Sequence, residues 1–475
     1  MKSTFLNPCS LPAKNLLLLA LFSLAFHNAQ AQWQAFTPTM PDTVGAFDLR
    51  IAHGNDQVAW CVQMKYNVTP SAFEWLPMDN LVFSKTSDGG NTWTGGTIPM
   101  GPEPYASNIC PISANTAWAS GLDLDFVNYV LRTDDGGVTW TRQLEDKFAE
   151  ATSYVDFVHF WDANNGVAMG DPAVSDTDTI PFYEIYTTTD GGTSWTRVPS
   201  SNIPLPIPGE FGSSGYYEVA GDYVWFGSLE SENFSSKRLY RSKDRGYHWE
   251  ELPATEDLVG IFSFADSLHG INLKRISPNV VKVHYTTDGG DTWTERPSLF
   301  GADFTSSAVL IPNSLYILAV RRSNNVTGPF KTILSKDLGQ TWIELGVTEH
   351  AAPMKFSSPT TGYAGEWQST THATRMYKYA GSPLSGLLSG QTLNAAITVS
   401  PNPTTDVANL HITVAEPAAF TLLLHDGSGK LIERQELEKT ADGTARFELQ
   451  QLPAGLYTLT VSSDKGFLTR SIVKQ

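Results

Sequence analysis

Acidic and aromatic side chains gather in a few long polar stretches of this chain. Asp171 and Glu210 are the first candidates for catalysis, because glycoside hydrolysis needs two carboxyl groups that face each other across a cleft. Aromatic rings offer flat apolar faces to sugars, and charged side chains bind hydroxyls or anionic groups. On this ground the candidates for ligand binding are Trp75, Asp123, Asp125, Arg321, Arg322 and Trp367.

The same acids allow two other interpretations. Alternating aspartates, as at Asp171, Asp176 and Asp178 or at Asp123 and Asp125, can ligate calcium. Neither run has the glycine and the bidentate glutamate of a known calcium loop, so we predict no metal site and no cofactor. Long loops also cover the apolar edges of sheets with their own aromatic side chains, which leaves a structural role open.

The elements that position these residues follow from a motif that occurs six times. Its pattern is Ser/Thr-x-Asp-x-Gly, followed after two further residues by Trp, and Thr86 to Trp93 is the first copy. A carboxylate can accept hydrogen bonds from the amides of a turn, glycine can take positive φ, and Trp can start a buried returning strand. We therefore interpret the aspartates as turn formers and not as ligands or catalysts. The six pairs are Asp88 and Trp93, Asp135 and Trp140, Asp190 and Trp195, Asp244 and Trp249, Asp288 and Trp293, and Asp337 and Trp342.

The spacing of the motif predicts a β-propeller. The six tryptophans lie 47, 55, 54, 44 and 49 residues apart, which is the period of a four-stranded blade. Seven apolar strand pairs, of which Leu49 to Trp60 is the first, alternate with only six motifs. The seventh unit continues into Arg375 to Tyr379 and lacks a fourth strand, which Trp33 to Pro38 can supply. We predict seven blades over residues 32–380, closed by the N-terminal strand.

This arrangement gives the candidate residues a common location. The motif hairpins lie on one rim of a propeller. The loops between second and third strands, and those between blades, lie on the other rim around the channel mouth, where propellers usually bind ligands. The candidate acids and aromatics fall in loops of this second kind.

Charge and cysteine content narrow the class of protein. The net charge is −17, which argues against a nucleic-acid partner. Residues 1–31 have a basic start, a short apolar core and a small-residue site ending at Ala31, which predicts a signal peptide and export. We find no transmembrane segment in the sequence. Cys61 and Cys110 remain after cleavage, either as a disulfide or as two buried thiols.

The C-terminal part has a different character. Residues 381–395 are rich in small residues and predict a linker. Residues 396–475 alternate in short strands and predict a small Ig-like β-sandwich. The fold class is thus all-β, a seven-bladed propeller followed by a sandwich. The predicted strands after the first are Ala408 to Val414, Phe420 to His425, Leu431 to Leu437, Ala445 to Leu449, Leu456 to Ser462 and Phe467 to Val473.

The six-fold motif resembles the Asp-box (BNR) repeat of sialidases, sortilin-type receptors and xyloglucan hydrolases. In those families the box closes the hairpin between the third and fourth strands of a blade, away from the usual active site. Phe160 to Pro172 and Pro206 to Gly212 look like the photosystem II stability/assembly-factor-like branch. This likeness implies the fold and no photosynthetic role.

The last domain resembles the C-terminal sorting domain of the type IX secretion system of Bacteroidota. The matching pieces are Ser400 to Thr404, the hairpin from Asp426 to Lys430, the turn from Leu452 to Tyr457 and the basic end at Lys474. The resemblance implies handling by the type IX machinery. The domain is then removed, and the protein is released or attached to surface lipopolysaccharide.

Three functions remain open. The leading one is a secreted or surface-anchored, monomeric propeller that binds a glycan or a protein at the channel mouth. The second is a glycoside hydrolase of sialidase or xyloglucanase type. Arg50 to Ala52 only partly matches the Arg-Ile-Pro of sialidases, and xyloglucan hydrolases pair two propellers in a longer chain. The third is an adhesion or scaffold protein without catalysis.

Overall fold

The structure is a computed structural model, and it describes most of the chain after residue 32. The described residues are 33–38, 44–68, 73–75, 78–145, 147–148, 153–174, 180–231, 236–253, 260–277, 280–300, 302–323, 330–348, 352–366, 374–381, 384, 395–426, 431–463 and 466–475.

Seven antiparallel sheets follow one another along the chain, each with at least four strands. Blade 1 contains Gly45–Ile51, Ala59–Met64, Leu81–Thr86 and Thr94–Ile98. Blade 2 contains Tyr105–Pro111, Ala117–Leu122, Asn128–Thr133 and Thr141–Gln143. Blade 3 contains Val155–Phe160, Gly166–Ala173, Phe182–Thr188 and Thr196–Arg197.

The remaining blades repeat this order. Blade 4 contains Tyr217–Ala220, Tyr223–Glu230, Ser236–Ser242 and Trp249–Glu251. Blade 5 contains Ile261–Phe264, Gly270–Ser277, Val280–Thr286 and Thr294–Phe300. Blade 6 contains Ala302–Leu310, Ile317–Ser323, Phe330–Ser335 and Ile343–Thr348. Blade 7 contains Ala352–Ser358, Thr361–Gly365, Met376–Tyr379 and, from the N-terminus, Trp33–Phe36.

The ring closes as the sequence predicts. Trp33–Phe36 pairs antiparallel with Met376–Tyr379, and Trp33 lies opposite Tyr379. The first strands of blades 1, 2 and 3 contact each other in turn, as do those of blades 4 to 7, and the first strands of blades 7 and 1 are also in contact. Closure leaves blade 7 with a paired outer strand instead of an exposed edge. The predicted fold class is confirmed.

Large aromatic side chains fill the spaces between blades. Trp118 of blade 2 stacks on Phe160 of blade 3, with ring centroids 3.5 Å apart. In the same way Trp225 of blade 4 stacks on Phe264 of blade 5 at 3.8 Å. Each of these rings buries a large apolar area, so the blades are joined mainly by hydrophobic packing.

Two rims result from this topology. The turn rim carries the six motif hairpins. The loop rim carries the connections between second and third strands and between successive blades. Three short elements lie in loop-rim connections: the hairpin of Tyr66–Val68 with Phe73–Trp75, the 3₁₀ turn Ser200–Asn202, and Glu210–Phe211, which pairs beside the second strand of blade 4.

The C-terminal part is a separate β-structure with its own apolar core. Its strands are Ala395–Ser400, Val407–His425, Leu431–Glu448, Gly455–Ser463 and Gly466–Lys474. Val407–His425 pairs with the first strand through its first half and with the fourth strand through its second half. It therefore connects all five strands into one sheet, and its pairing with Leu431–Glu448 shifts between Thr413 and Ala418.

Two details of the C-terminal prediction are wrong. The sequence divides Val407–His425 and Leu431–Glu448 into four short strands, because polar residues and Pro417 interrupt the apolar alternation. In the structure these interruptions are shifts in register within two long strands. The two strands stay paired with each other on both sides of the shift.

Several boundary predictions stay predictions. The signal peptide 1–31 lies outside the described residues, as does most of the linker 381–395. The boundaries at 32, 380 and 396 also stay predictions, although Ala395 already lies in a strand. No helix in the described part of the chain is long and apolar enough to cross a membrane. Cys61 and Cys110 are both buried free thiols, so they do not pair here.

Candidate functional site

The loop rim carries an unusual share of the exposed apolar side chains. Eight large hydrophobic residues in the described part of the propeller are exposed on this rim, along blades 2 to 5. Only one of the eight is aromatic. They are Leu124, Phe126, Val127, Val174, Ile180, Leu205, Ile207 and Ile276. We call this set the apolar rim.

The loop between the second and third strands of blade 2 presents three of these residues. Asp123 is buried and holds the loop, because its Oδ1 accepts the N–H groups of Asp125 at 3.0 Å and Val127 at 2.9 Å. Its Oδ2 accepts the hydroxyl of Tyr129 at 3.0 Å. Phe126, at the tip, is 62% exposed and has φ of 60°. A bulky residue with positive φ is strained, and such strain often marks a functional position.

Acidic side chains predominate among the exposed charges on the loop rim of blades 1 and 2. The exposed charged residues that the structure describes there are Asp79, Glu103, Asp125 and Glu145, while Lys65 and Lys147 on the same connections are half-buried. The backbone joins this region together, since Glu103 donates to Met78 and Leu124 donates to Pro102. The exposed apolar residues of blade 2 therefore share this part of the loop rim with exposed carboxylates.

Glu210 lies under the rim and is fully enclosed. Its carboxylate accepts hydrogen bonds from Arg238, Ser228 and Tyr240 and from the backbone N–H of Ile207. Arg238 also donates to the backbone carbonyl of Leu205 at 2.9 Å. The Glu210–Arg238 ion pair therefore fixes the backbone that exposes Leu205 and Ile207.

The first strand of blade 4 is interrupted beside Glu210. Glu210–Phe211 and Tyr217–Ala220 both pair with the second strand of that blade. Residues 212–216 leave the sheet between them, and we call them the excursion. Gly215 donates to the carbonyl of Asp156 in blade 3 at 2.9 Å. Its own carbonyl accepts Arg50 of blade 1 at 3.1 Å. The excursion thus spans the inside of the ring.

Asp171 anchors the other end of the excursion together with Asp156. The Oδ1 of Asp171 accepts the N–H of Gly212 at 2.7 Å, and a Cβ built on Gly212 would overlap the Oδ2 of Asp156. Both acids sit where the strand pairing of blade 3 shifts, at a bulge in the first strand and another in the second. Bulges redirect side chains, and these two turn both carboxyl groups towards the same glycine.

Burial changes the acidity of this pair. Both side chains are almost inaccessible, and the Oδ2 of Asp156 has no hydrogen-bond partner. Burial raises the pKa of Asp171 to about 7, although amide hydrogen bonds from Gly212 and Tyr154 act in the opposite direction. Burial, and then the neighbouring Asp171, raises the pKa of Asp156 well above its ordinary value. Burial thus favours the protonated form of Asp156.

Two ion pairs lie near the excursion, one within blade 1 and one between blades 7 and 4. Arg50 is bonded to Asp48 at 2.9 Å, and its guanidinium lies 4.1 Å from the ring centre of Tyr217. Lys355 of blade 7 is paired with Glu218 of blade 4. Burial lowers the pKa of Lys355, and Glu218 partly offsets this effect. The side chains tie blades 1 and 7 to blade 4.

The structure separates the other candidates from sequence. Arg321 is bonded to Glu344 at 3.1 Å along the strands of blade 6. Arg322 lies in the same strand, opposite Phe330. Trp75 lies opposite Tyr66 in the short hairpin. Trp367 lies outside the described residues, as do Asp176 and Asp178. Within the residues described, no group of three or more His, Cys, Asp or Glu could hold a metal ion.

The six motif aspartates make the same contacts in every copy. In the first, the carboxylate of Asp88 accepts the hydroxyl of Thr86, and both the N–H and the hydroxyl of Thr92. The equivalent hydrogen bonds recur at Asp135, Asp190, Asp244, Asp288 and Asp337. In the fourth copy His248 takes the place of the hydroxyl. These are contacts within turns.

Sequence reasoning missed Asp156 and the excursion. Asp156 is the one acid in the apolar strand Val155–Phe160, which was a usable signal. Nothing in the sequence marks the two bulges or the break in the first strand of blade 4. Nothing in the sequence marks the structural role of Gly212 either. Its φ is not positive, so its backbone conformation does not require glycine.

The fold is an all-β propeller followed by a small β-domain. Residues 398–475 match the family of the secretion system C-terminal sorting domain. This domain indicates type IX export and a secreted or cell-surface location. The comparison with curated proteins gives no significant match.

Solved structures with a similar fold are distant in sequence. YCF48 bound to D1 peptide is 14% identical, with a TM-score of 0.48, over 74% of this chain and 96% of the other. YCF48 from Cyanidioschyzon merolae is 16% identical, with a TM-score of 0.48, over 73% and 98%. Trypanosoma rangeli sialidase with the inhibitor DANA is 10% identical, with a TM-score of 0.40, over 92% and 89%.

Proposed function

We propose that this protein is an exported binding propeller whose apolar rim contacts a protein partner. The apolar rim is the observation that carries the proposal. Seven of its eight side chains are aliphatic, and aliphatic surfaces of this kind mark protein contacts. A glycan site would present more aromatic faces beside its polar groups.

The charges of the rim suggest the chemistry of the partner. The carboxylates of Asp79, Glu103, Asp125 and Glu145 border the apolar residues of blade 2. A partner segment with apolar and basic side chains would complement both features. The strained Phe126 would act as the central anchor, since aromatic side chains dominate the energetics of protein interfaces.

The hydrolase alternative has no comparable support among the described residues. Asp171 and Glu210 are both buried, and both carboxylates accept hydrogen bonds from the protein itself. Their roles as catalytic acids stay predictions. The scaffold alternative differs from our proposal only in lacking a specific partner, so the same experiment separates the two.

The finer features of the sequence interpretation belong to the same proposal. We infer cleavage after Ala31, a monomeric mature protein and an origin in Bacteroidota. We also infer that the propeller belongs to the Asp-box family and to its assembly-factor-like branch. The type IX machinery is the partner of the sorting domain.

The test is a selection from a random peptide library displayed on phage, with the full mature chain as target. Enriched peptides should combine apolar and basic residues, and calorimetry should give dissociation constants for synthetic copies. Phe126→Ser and Leu124→Ser should weaken binding at least tenfold. Val138→Ser is the matched control, because Val138 is 81% exposed on the opposite rim. The proposal is overturned if the protein binds a glycan on an array and if Phe126→Ser and Leu124→Ser bind that glycan as strongly as the wild type does.

A further inference from the structure

The excursion closes the inside of the ring, and its closure depends on an unusual pair of acids. Residues 212–216 contact blade 3 through Gly212 and Gly215, and blade 1 through Arg50. Gly215 also lies against the backbone of Ser107 in blade 2. Every one of these contacts must break if the channel is to open from this side.

The seat of the excursion excludes water from two carboxyl groups. The Oδ2 of Asp156 is buried without a hydrogen-bond partner, and the backbone of Gly212 covers it. An ionised carboxylate in that position would be strongly destabilised, because nothing replaces its hydration. Asp156 must therefore be protonated while the excursion is seated.

Among the described residues, no Lys or Arg is paired with either acid, and Arg50, which donates to the carbonyl of Gly215, is itself paired with Asp48. The titratable groups around it are Tyr105 of blade 2, Tyr183 of the third strand of blade 3 and Glu210 beside the excursion. Tyr105 and Tyr183 have raised pKa values, chiefly through burial, so they stay neutral at physiological pH. Glu210 is already engaged by Arg238. The proton on Asp156 is thus the means by which the protein avoids two adjacent negative charges.

We propose that residues 212–216 form a proton-linked gate over the central channel, seated by Asp156 and Asp171. Lifting the excursion admits water to both carboxyl groups, and their acidity then returns to the ordinary range of aspartate. Opening therefore releases protons, and a rise in pH favours the open form. Lifting the excursion also removes the Gly215 carbonyl from Arg50, whereas the hydrogen bonds of Arg50 to Asp48 and to the carbonyl of Tyr217 remain.

The effect of pH on the opening of the gate has a defined direction and a defined pH range. A carboxyl group with a raised pKa in the closed form stabilises that form at low pH and loses this effect as pH rises. Between about pH 4, the ordinary aspartate value, and about pH 7, opening releases protons from both aspartates. Above about pH 7 only Asp156, whose pKa burial raises, still releases a proton, and the ratio of open to closed molecules should rise about tenfold per pH unit while Asp156 stays protonated in the closed form.

Hydrogen exchange of the full mature chain tests the gate. Protection factors, corrected for intrinsic exchange, should be measured between pH 5 and 9 for peptides that cover residues 210–217. Wild-type protection should fall about tenfold per pH unit above pH 7. Asp156→Asn should abolish this dependence above pH 7, and Asp171→Asn should keep it. Asp222→Asn, at an exposed acid between the first two strands of blade 4, is the control and should behave like wild type.

Direct titration keeps the test decisive if a variant fails to fold. Carboxyl carbon NMR of the wild-type protein should show one aspartate that titrates near pH 7 and one that stays protonated beyond it. Ordinary titration of every aspartate near pH 4, or protection that does not depend on pH, overturns the proposal. Both results are independent of whether the apolar rim binds a partner.

Discussion

Asp171 accepts a hydrogen bond from the backbone N–H of Gly212 at 2.7 Å. Gly212 lies two residues beyond Glu210, whose carboxylate accepts a hydrogen bond from Arg238. The two acids thus hold one short stretch of chain from neighbouring blades. Asp171 fixes the excursion to blade 3, and Glu210 fixes its start to blade 4. Both are anchors of the loop rim, and the apolar side chains of Leu205 and Ile207 depend on them.

Replacement of Glu210 by Gln should be strongly destabilising. It leaves the guanidinium of Arg238, whose side chain is 13% exposed, without its buried partner. Loss of one member of a buried ion pair typically costs about 3 kcal/mol or more. Denaturant unfolding measures the change. Glu251→Gln is the matched control, since Glu251 is the exposed partner of the same arginine and should cost under about 1 kcal/mol. Equal effects of the two variants would contradict the anchoring role.

A methyl group at residue 212 should disturb the seat of the excursion. Gly212→Ala places a Cβ against the carboxyl group of Asp156, and the strain should cost about 1–3 kcal/mol of unfolding free energy. The cost should be much smaller when Asp156 is replaced by Ala, because the clashing atoms are then absent. Gly455→Ala is a control with open space around the new methyl group. A double-mutant cycle without coupling would show that the overlap is relieved elsewhere.

The sequence predicts the architecture well because the repeat carries it. Thr86, Asp88 and Thr92 form a turn from contacts only two to four residues apart, so the motif specifies its own geometry. The closure by Trp33–Phe36 follows from counting strands, since one blade lacks a fourth. Short-range hydrogen bonds and a count of the strands are therefore sufficient to predict these features from the sequence.

The candidate site was harder to predict because it depends on departures from the repeat. Asp156 and Asp171 converge through two bulges, and Gly212 meets them from another blade. Such contacts join residues that are distant in sequence, and no periodic pattern records them. The sequence nominates Asp171 and Glu210 as catalytic candidates, and that role stays a prediction, while the structure buries both side chains.

Removal of the aromatic ring at the closing strand should weaken the whole ring. Trp33 packs edge-on against Phe356 at 5.8 Å and Tyr379 at 5.5 Å between ring centroids. Trp33→Ala should cost about 3–5 kcal/mol, as for other buried aromatic residues. It should also raise aggregation, because the edge of blade 7 is then poorly covered. Gln34→Ala, on the exposed side of the same strand, should leave both the unfolding midpoint and light scattering unchanged.

The turn aspartates should make the protein sensitive to strong acid. Hydrogen bonds from the hydroxyl and N–H of Thr139 lower the pKa of Asp135 to about 2, and those from Ser194 do the same for Asp190. A carboxylate with a depressed pKa stabilises the folded state above the unfolded value of about 4 and loses this effect as pH falls. The thermal midpoint should therefore fall between about pH 4 and pH 2.

Asp171 acts in the opposite direction, because its raised pKa of about 7 removes stability as pH rises from about 4 to 7. The two effects together place the highest thermal midpoint in mildly acidic solution. Asp135→Asn should reduce the acid slope, whereas Val138→Ser in the same turn removes no titrating group and should retain it. A midpoint that is highest at pH 8 would contradict the assignment of a buried, protonated pair beneath Gly212.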